Sequence, residues 1–259
     1  MSSIILPLEI EAKILDLLIE DHEGHLALET CSLVCKAFLP ICRKHLFRTI
    51  VLLDAHIIHP FERLLRETPK IADYIRNLDY KIRTADSTSP SIQETLKRIS
   101  RLESLTLLQS KSAKFDWSDN PIRPALIHLL HLPTLRHFKM TNIDNFLVSD
   151  LIPCVNLKYL EIGVHTSMAD ENIFPADFPE RSIQLKEFVA GTSDSTMKLC
   201  TARRPDGQPI IDFGSLSEIK ANLEEPDDEA SRELFKRCHA LTTAHIYCNW
   251  YLRRDHQDF

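Results

Sequence analysis

Leu102-Glu103-Ser104-Leu105-Thr106-Leu107 is the stretch on which the fold turns. Its pattern is an apolar residue, two free positions, an apolar residue, one free position and a third apolar residue. Side chains alternate across an extended chain, so Leu105 and Leu107 share one side. The spacing recurs at Ile75-Leu78-Tyr80, Leu135-Phe138-Met140 and Leu157-Leu160-Ile162. It returns in weaker form at Leu185-Phe188-Ala190, Leu216-Ile219-Ala221 and Leu241-Ala244-Ile246, and Phe47-Ile50-Leu52 reads as an atypical first copy. The starts lie 22 to 33 residues apart. A recurrence of that period marks a stacked-repeat architecture, in which each unit buries its apolar face only against its neighbours. The competing reading is a compact α/β domain whose strands share a short motif; the span of the recurrence favours the solenoid.

Helical stripes lie between these segments. Residues 61–67 carry Phe61, Leu64 and Leu65; residues 92–99 carry Ile92, Leu96 and Ile99 after Pro90; residues 125–132 carry Leu126, Leu129 and Leu130 after Pro124. Asp227-Asp228-Glu229 ahead of Leu234 and Phe235 suits the positive end of a helix. If the template residues point inward, Asp79, Thr106, Lys139, Glu161, Val189, Lys220 and His245 form an outward row. A second row holds Asn77, Ser104, His137, Tyr159, Glu187, Glu218 and Thr243. Mixed charge beside aromatic rings suits a protein partner. His137, Lys139, Tyr159, Glu161, Lys220 and His245 are the expected contacts. Phe115-Asp116-Trp117-Ser118-Asp119-Asn120-Pro121 reads as a loop, with Trp117 against the edge of the sheet.

Composition narrows the function. A net charge of −6 offers no general surface for nucleic acid. The run Lys36, Arg43, Lys44, Arg48 reads as a solvated helix face. No apolar run is long enough to span a membrane and the N-terminus lacks a signal-peptide pattern, so the expected location is the cytosol or nucleus. The 7 cysteines are odd in number and scattered, and read as free thiols. Cys31, Cys35 and Cys42 with His45 follow helical turns rather than paired zinc knuckles. Asp21, His22 and His25 fall in a polar loop without a supporting ligand pair. With 5 glycines and no phosphate-cradling run, no nucleotide site is visible. Pairing Cys200 with His245 as a hydrolase dyad has no support beyond composition. No catalytic residue, metal or cofactor is expected.

The N-terminal fifth has its own pattern. Pro7 suits the first turn of a helix and Glu9 its positive end, while Ile10, Ile14, Leu17 and Leu18 make one apolar stripe. Gly24 within a polar run reads as a stop; Leu28, Cys31, Cys35 and Phe38 then resume helical spacing up to Pro40. So small a set of helices forms a very small core and gains by burying surface against something else.

Leu6-Pro7-Leu8-Glu9-Ile10, the apolar helix, and Leu33-Val34-Cys35-Lys36-Ala37-Phe38 together resemble an F-box. The repeats resemble the leucine-rich-repeat region of F-box receptors, particularly the loosely patterned repeats of the large fungal F-box families. Regular repeats of that kind carry Asn or Cys eight residues after each start, and here only Asn249 matches. The resemblance implies an α/β architecture with a small helical F-box over residues 1–50 and an irregular leucine-rich-repeat solenoid of parallel strands over 51–259. It implies docking on the Skp-type adaptor of an SCF-type cullin-RING ubiquitin ligase through Leu6, Pro7, Ile10, Leu33, Val34 and Phe38. Phe38 stands where the family commonly has Trp, keeping an aromatic anchor without the indole N–H. The repeats would hold a protein target. The alternative is a repeat scaffold outside ubiquitination whose N-terminal helices act as a cap.

Overall fold

The computed structural model describes residues 24–34, 38–110, 115–170, 179–223 and 229–248, with residues 10, 13, 14, 17 and 174 besides. Its centre is an eight-stranded parallel sheet built from Thr49–Leu52 (β1), Asn77–Ile82 (β2), Ser104–Gln109 (β3), His137–Thr141 (β4), Tyr159–Ile162 (β5), Glu187–Ala190 (β6), Glu218–Leu223 (β7) and Thr243–Cys248 (β8). The strands lie side by side in chain order. Their register reproduces the sequence template: Ile50, Leu78, Leu105, Phe138, Leu160, Phe188, Ile219 and Ala244 stand opposite one another across the sheet. Of these, the six from Leu78 to Ile219 are wholly buried.

One carbonyl before each strand start serves two donors of the next unit. The Arg136 carbonyl accepts from the Lys158 and Tyr159 N–H groups at 2.8 and 3.0 Å. Arg48, Arg76, Glu103, Lys158, Lys186 and Ser217 repeat the arrangement. These positions satisfy backbone groups that the strands themselves do not yet pair.

Parallel strands require a crossover between them. Here the crossovers carry Ala55–Glu67 (α3), Pro90–Lys97 (α4), Arg123–Leu130 (α5), Ser193–Thr201 (α6) and Glu229–Arg237 (α7), with a 3-10 turn at Val148–Leu151 between β4 and β5. Ahead of the sheet lie Gly24–Val34 (α1) and Leu39–Leu46 (α2). The buried faces of α3 to α7 and the inner residues of the sheet belong to one apolar core. The helices α4, α5 and α7 fall close to their expected positions. In α3 the helix begins earlier than expected because it tolerates Pro60 in its interior, where the ring removes a backbone donor. The sequence showed no stripe for α6 because half of its buried face is hydroxyl. Ser195 donates to the Thr166 carbonyl at 2.7 Å and Thr196 to the Thr192 carbonyl at 2.8 Å.

Gly24 is the first described residue of α1, and Pro40 sits at the expected boundary, in the first turn of α2, where its missing N–H costs nothing. Two sequence expectations need correction. Phe115–Asp116 is not loop but a short parallel strand against Ile143–Asp144, and Trp117 lies wholly buried instead of at an edge. Its ring stands 4.8 Å from Phe146, itself 6.0 Å from Phe138. The indole N–H donates to Asp150 Oδ2 at 2.6 Å, and Arg123 reaches both carboxylate oxygens at 3.0 Å. A buried indole donor and a buried carboxylate each need such partners. Finally, Ala244 and Ile246 were expected inside, but β8 is exposed along both faces from Thr243 to Tyr247. It is the last strand of the sheet among the described residues, and β7 is its one strand neighbour there.

Two glycines set how closely the middle strands end together. A Cβ on Gly191 would stand 2.2 Å from the Ile162 carbonyl oxygen, and one on Gly163 would stand 2.2 Å from Thr141 Oγ1. Asn142 turns the chain after β4 with φ 60° and donates to the Gln109 carbonyl at 2.8 Å. It does so one position before the place where the repeat pattern carries Asn; Asn249 lies outside the described residues.

Candidate functional site

The helices cover one face of the sheet, and the other is left to polar and aromatic side chains. His137, Lys139, Tyr159, Glu161, Lys220 and His245 all stand on this open face, in two adjoining columns fixed by the strand register. The His137 and Tyr159 rings are 5.9 Å apart. Lys139 Nζ lies 2.7 Å from Glu161 Oε1, and the Tyr159 hydroxyl donates to the same carboxylate. Burial first, then this hydrogen bond, pushes the Tyr159 hydroxyl above its ordinary pKa. Lys220 sits between Glu187 at 2.9 Å and Glu218 at 3.0 Å, and hydrogen bonds to the two carboxylates raise its pKa. His245 Nε2 is 3.9 Å from Glu218.

This face combines charged and aromatic side chains. Its charged groups are partly open to solvent, and pairs of that kind each contribute about 0–1 kcal/mol to folding. They orient one another without being needed by the core. Glu187 and Glu218 hold Lys220 in place, which sequence spacing showed only as membership of two neighbouring outward rows.

A second surface lies on the N-terminal helices. Leu33 and Val34 are 87% and 71% exposed at the end of α1, and Leu26 is 63% exposed. Ile10, Ile14 and Leu17 are exposed as well. Phe38 turns inward instead, packing with Cys31, Ile41 and Leu46 around Leu28 and Cys42. Leu6, Pro7, Cys35 and Lys36 lie outside the described residues. An apolar groove of about 400 Å³ also runs between β1 and α3, lined by Ile50, Val51, Ile57, Pro60, Phe61 and Leu64 among others.

Cys200 is buried in α6, and desolvation pushes its thiol up to about 12. A thiol held neutral in this way is a poor nucleophile. Among the described residues, no group of three or more His, Cys, Asp or Glu side chains is placed to hold a metal ion, and no helix is long and apolar enough to cross a membrane.

Comparison with protein-family models and with curated proteins finds no match.

Proposed function

We propose that this chain is a substrate-receptor subunit of an SCF-type cullin-RING ubiquitin ligase, working in the cytosol or nucleus. Residues 1–50 act as an F-box and residues 51–259 as an irregular leucine-rich-repeat region. The observation that carries the proposal is the exposure of Leu33 and Val34, in the segment where the F-box resemblance puts adaptor contacts. Apolar side chains left open in so small a helical unit favour burial against a partner. The cluster around Leu28 and Cys42 stands apart from the main core, consistent with a separate unit. Support for the repeat reading comes from strands that pair in chain order and in template register, six of their seven crossovers carrying a described helix or 3-10 turn.

On this reading the chain contributes proximity. The adaptor-bound end fixes the receptor on the ligase, and the open face holds a protein target near the ubiquitin-loaded enzyme, raising effective concentration without a catalytic side chain. A scaffold whose N-terminal helices merely cap the repeats would turn their apolar side chains toward the sheet; the exposure of Leu26, Leu33 and Val34 weighs against that.

Co-expression with a Skp-type adaptor tests the proposal. A stoichiometric complex is expected with the full chain, and its loss with a chain starting after Ile50 or with the Pro7→Ala, Leu33→Asp double variant. Adaptor binding that survives the double variant overturns the docking scheme.

A further inference from the structure

We infer that the residues preceding the middle strands form a docking line for an extended acidic peptide segment, separate from the open face and from the N-terminal helices. The line is the column whose carbonyls each accept two backbone donors: Arg48, Arg76, Glu103, Arg136, Lys158, Lys186 and, last, Ser217. Five cations, one carboxylate and one hydroxyl occupy it in a chain whose net charge is −6.

The two ends of the column differ. At the β1 to β3 end, Glu103 lies 3.4 Å from Arg48 and 3.5 Å from Arg76, so this carboxylate answers both cations. The Arg48 contact reaches across two strands, which shows that side chains of the column lie along one line. At the β4 to β6 end, no described carboxylate lies within ion-pair distance of Arg136, Lys158 or Lys186. Arg136 and Lys186 are exposed, and Lys158 makes only a 3.4 Å hydrogen bond to the Gln184 carbonyl. Arg181 stands beside them, 3.4 Å from Asn156 Oδ1. On the neighbouring open face, by contrast, Lys139 and Lys220 each have a carboxylate within 3 Å.

Spacing selects the ligand. Adjacent strands are about 4.8 Å apart, so Arg136 and Lys186 stand roughly 10 Å apart along the line. An extended peptide advances about 3.3 Å per residue, so carboxylates two residues apart stand about 7 Å apart, between the spacing of neighbouring cations and that of Arg136 and Lys186, and the long Arg and Lys side chains take up the difference. A nucleic acid would bring phosphates against an acidic molecule that offers it only this short row, whereas nucleic-acid binders neutralise many phosphates at once. A short acidic segment needs no more than the row supplies.

The test uses the full chain and a fluorescein-labelled peptide of alternating Glu and Ser, read by fluorescence anisotropy at low ionic strength. The peptide should bind, weaken as salt is added, and lose about tenfold or more in affinity with the Arg136→Glu, Lys158→Glu, Lys186→Glu triple variant. Arg48→Glu with Arg76→Glu should change it far less. Circular dichroism checks folding; if the reversed triple misfolds, the Arg136→Gln, Lys158→Gln, Lys186→Gln triple is read in the same way. Absence of binding, an unchanged affinity in the triple variant, or equal binding of the Gln-for-Glu peptide overturns the inference. Displacement by a lower concentration of oligothymidylate than of unlabelled peptide overturns it in favour of a nucleic-acid site.

Discussion

In α1, Leu33 and Val34 stand in solvent, while in β3 Leu105 and Leu107 are wholly buried, although all four belong to short apolar motifs. The difference lies in what surrounds each motif. Leu105 and Leu107 have an in-register neighbour on either side and a helical crossover behind them, so each added unit closes the one before it. Among the described residues, the α1 and α2 pair has only Leu28 and Cys42 as its buried centre. Similar side chains thus stabilise the fold in the sheet and remain available to a partner in the helical pair.

This contrast can be broken most forcefully at Asp150. Asp150→Ala leaves Trp117 and Arg123 without their acceptor and should cost about 3–5 kcal/mol, read by urea unfolding followed by circular dichroism. A loss below about 1 kcal/mol would mean that the sheet half is no more demanding than the helical pair. Next comes Leu28→Ala, expected to cost about 2 kcal/mol, the low end for a buried leucine, because its cluster is small. Amide exchange should rise in α1 and α2 while the sheet keeps its protection. Protection lost equally in both regions would show that they unfold as one.

Leu33→Asp with Val34→Asp should change stability by less than about 0.5 kcal/mol, since neither side chain leaves a core. On the proposed function the same variant abolishes adaptor capture. Destabilisation well beyond that value would show the two side chains packed, removing the contrast at its source.

The smallest effect concerns acid. The hydroxyl of Ser118, with further help from Asn145, holds the Asp116 carboxyl below its ordinary value. A lowered folded-state pKa adds stability that is complete above the unfolded value, near 4, and is lost as pH falls through the folded one. Asp116→Asn should therefore lower the unfolding midpoint slightly at neutral pH and flatten its decline below about pH 4, where the variant and the parent protein converge. An unaltered acid limb would remove Asp116 as a contributor.

The sheet was legible because its signal is local. Leu78, Leu105, Phe138, Leu160, Phe188 and Ile219 could be aligned from spacing alone, and alternation then placed His137, Tyr159 and Lys220 on a common face. What stayed hidden depended on residues distant in sequence. Nothing around Trp117 points to Asp150, 33 positions away, and Gly191 gives no sign that the Ile162 carbonyl approaches it. The outermost strand misled for the same reason: Ala244 and Ile246 fit the template, but a template cannot report that β7 is their one strand neighbour among the described residues.

Pairing in chain order also has a mechanical consequence. Among the described residues each strand pairs only with the strands before and after it in sequence, and no strand pairing ties β1 to β8. Tension applied at the two ends of the sheet would load these pairings one at a time instead of shearing them together. The expected extension trace is a staircase of small events, starting at the exposed β8, and not a single high-force rupture.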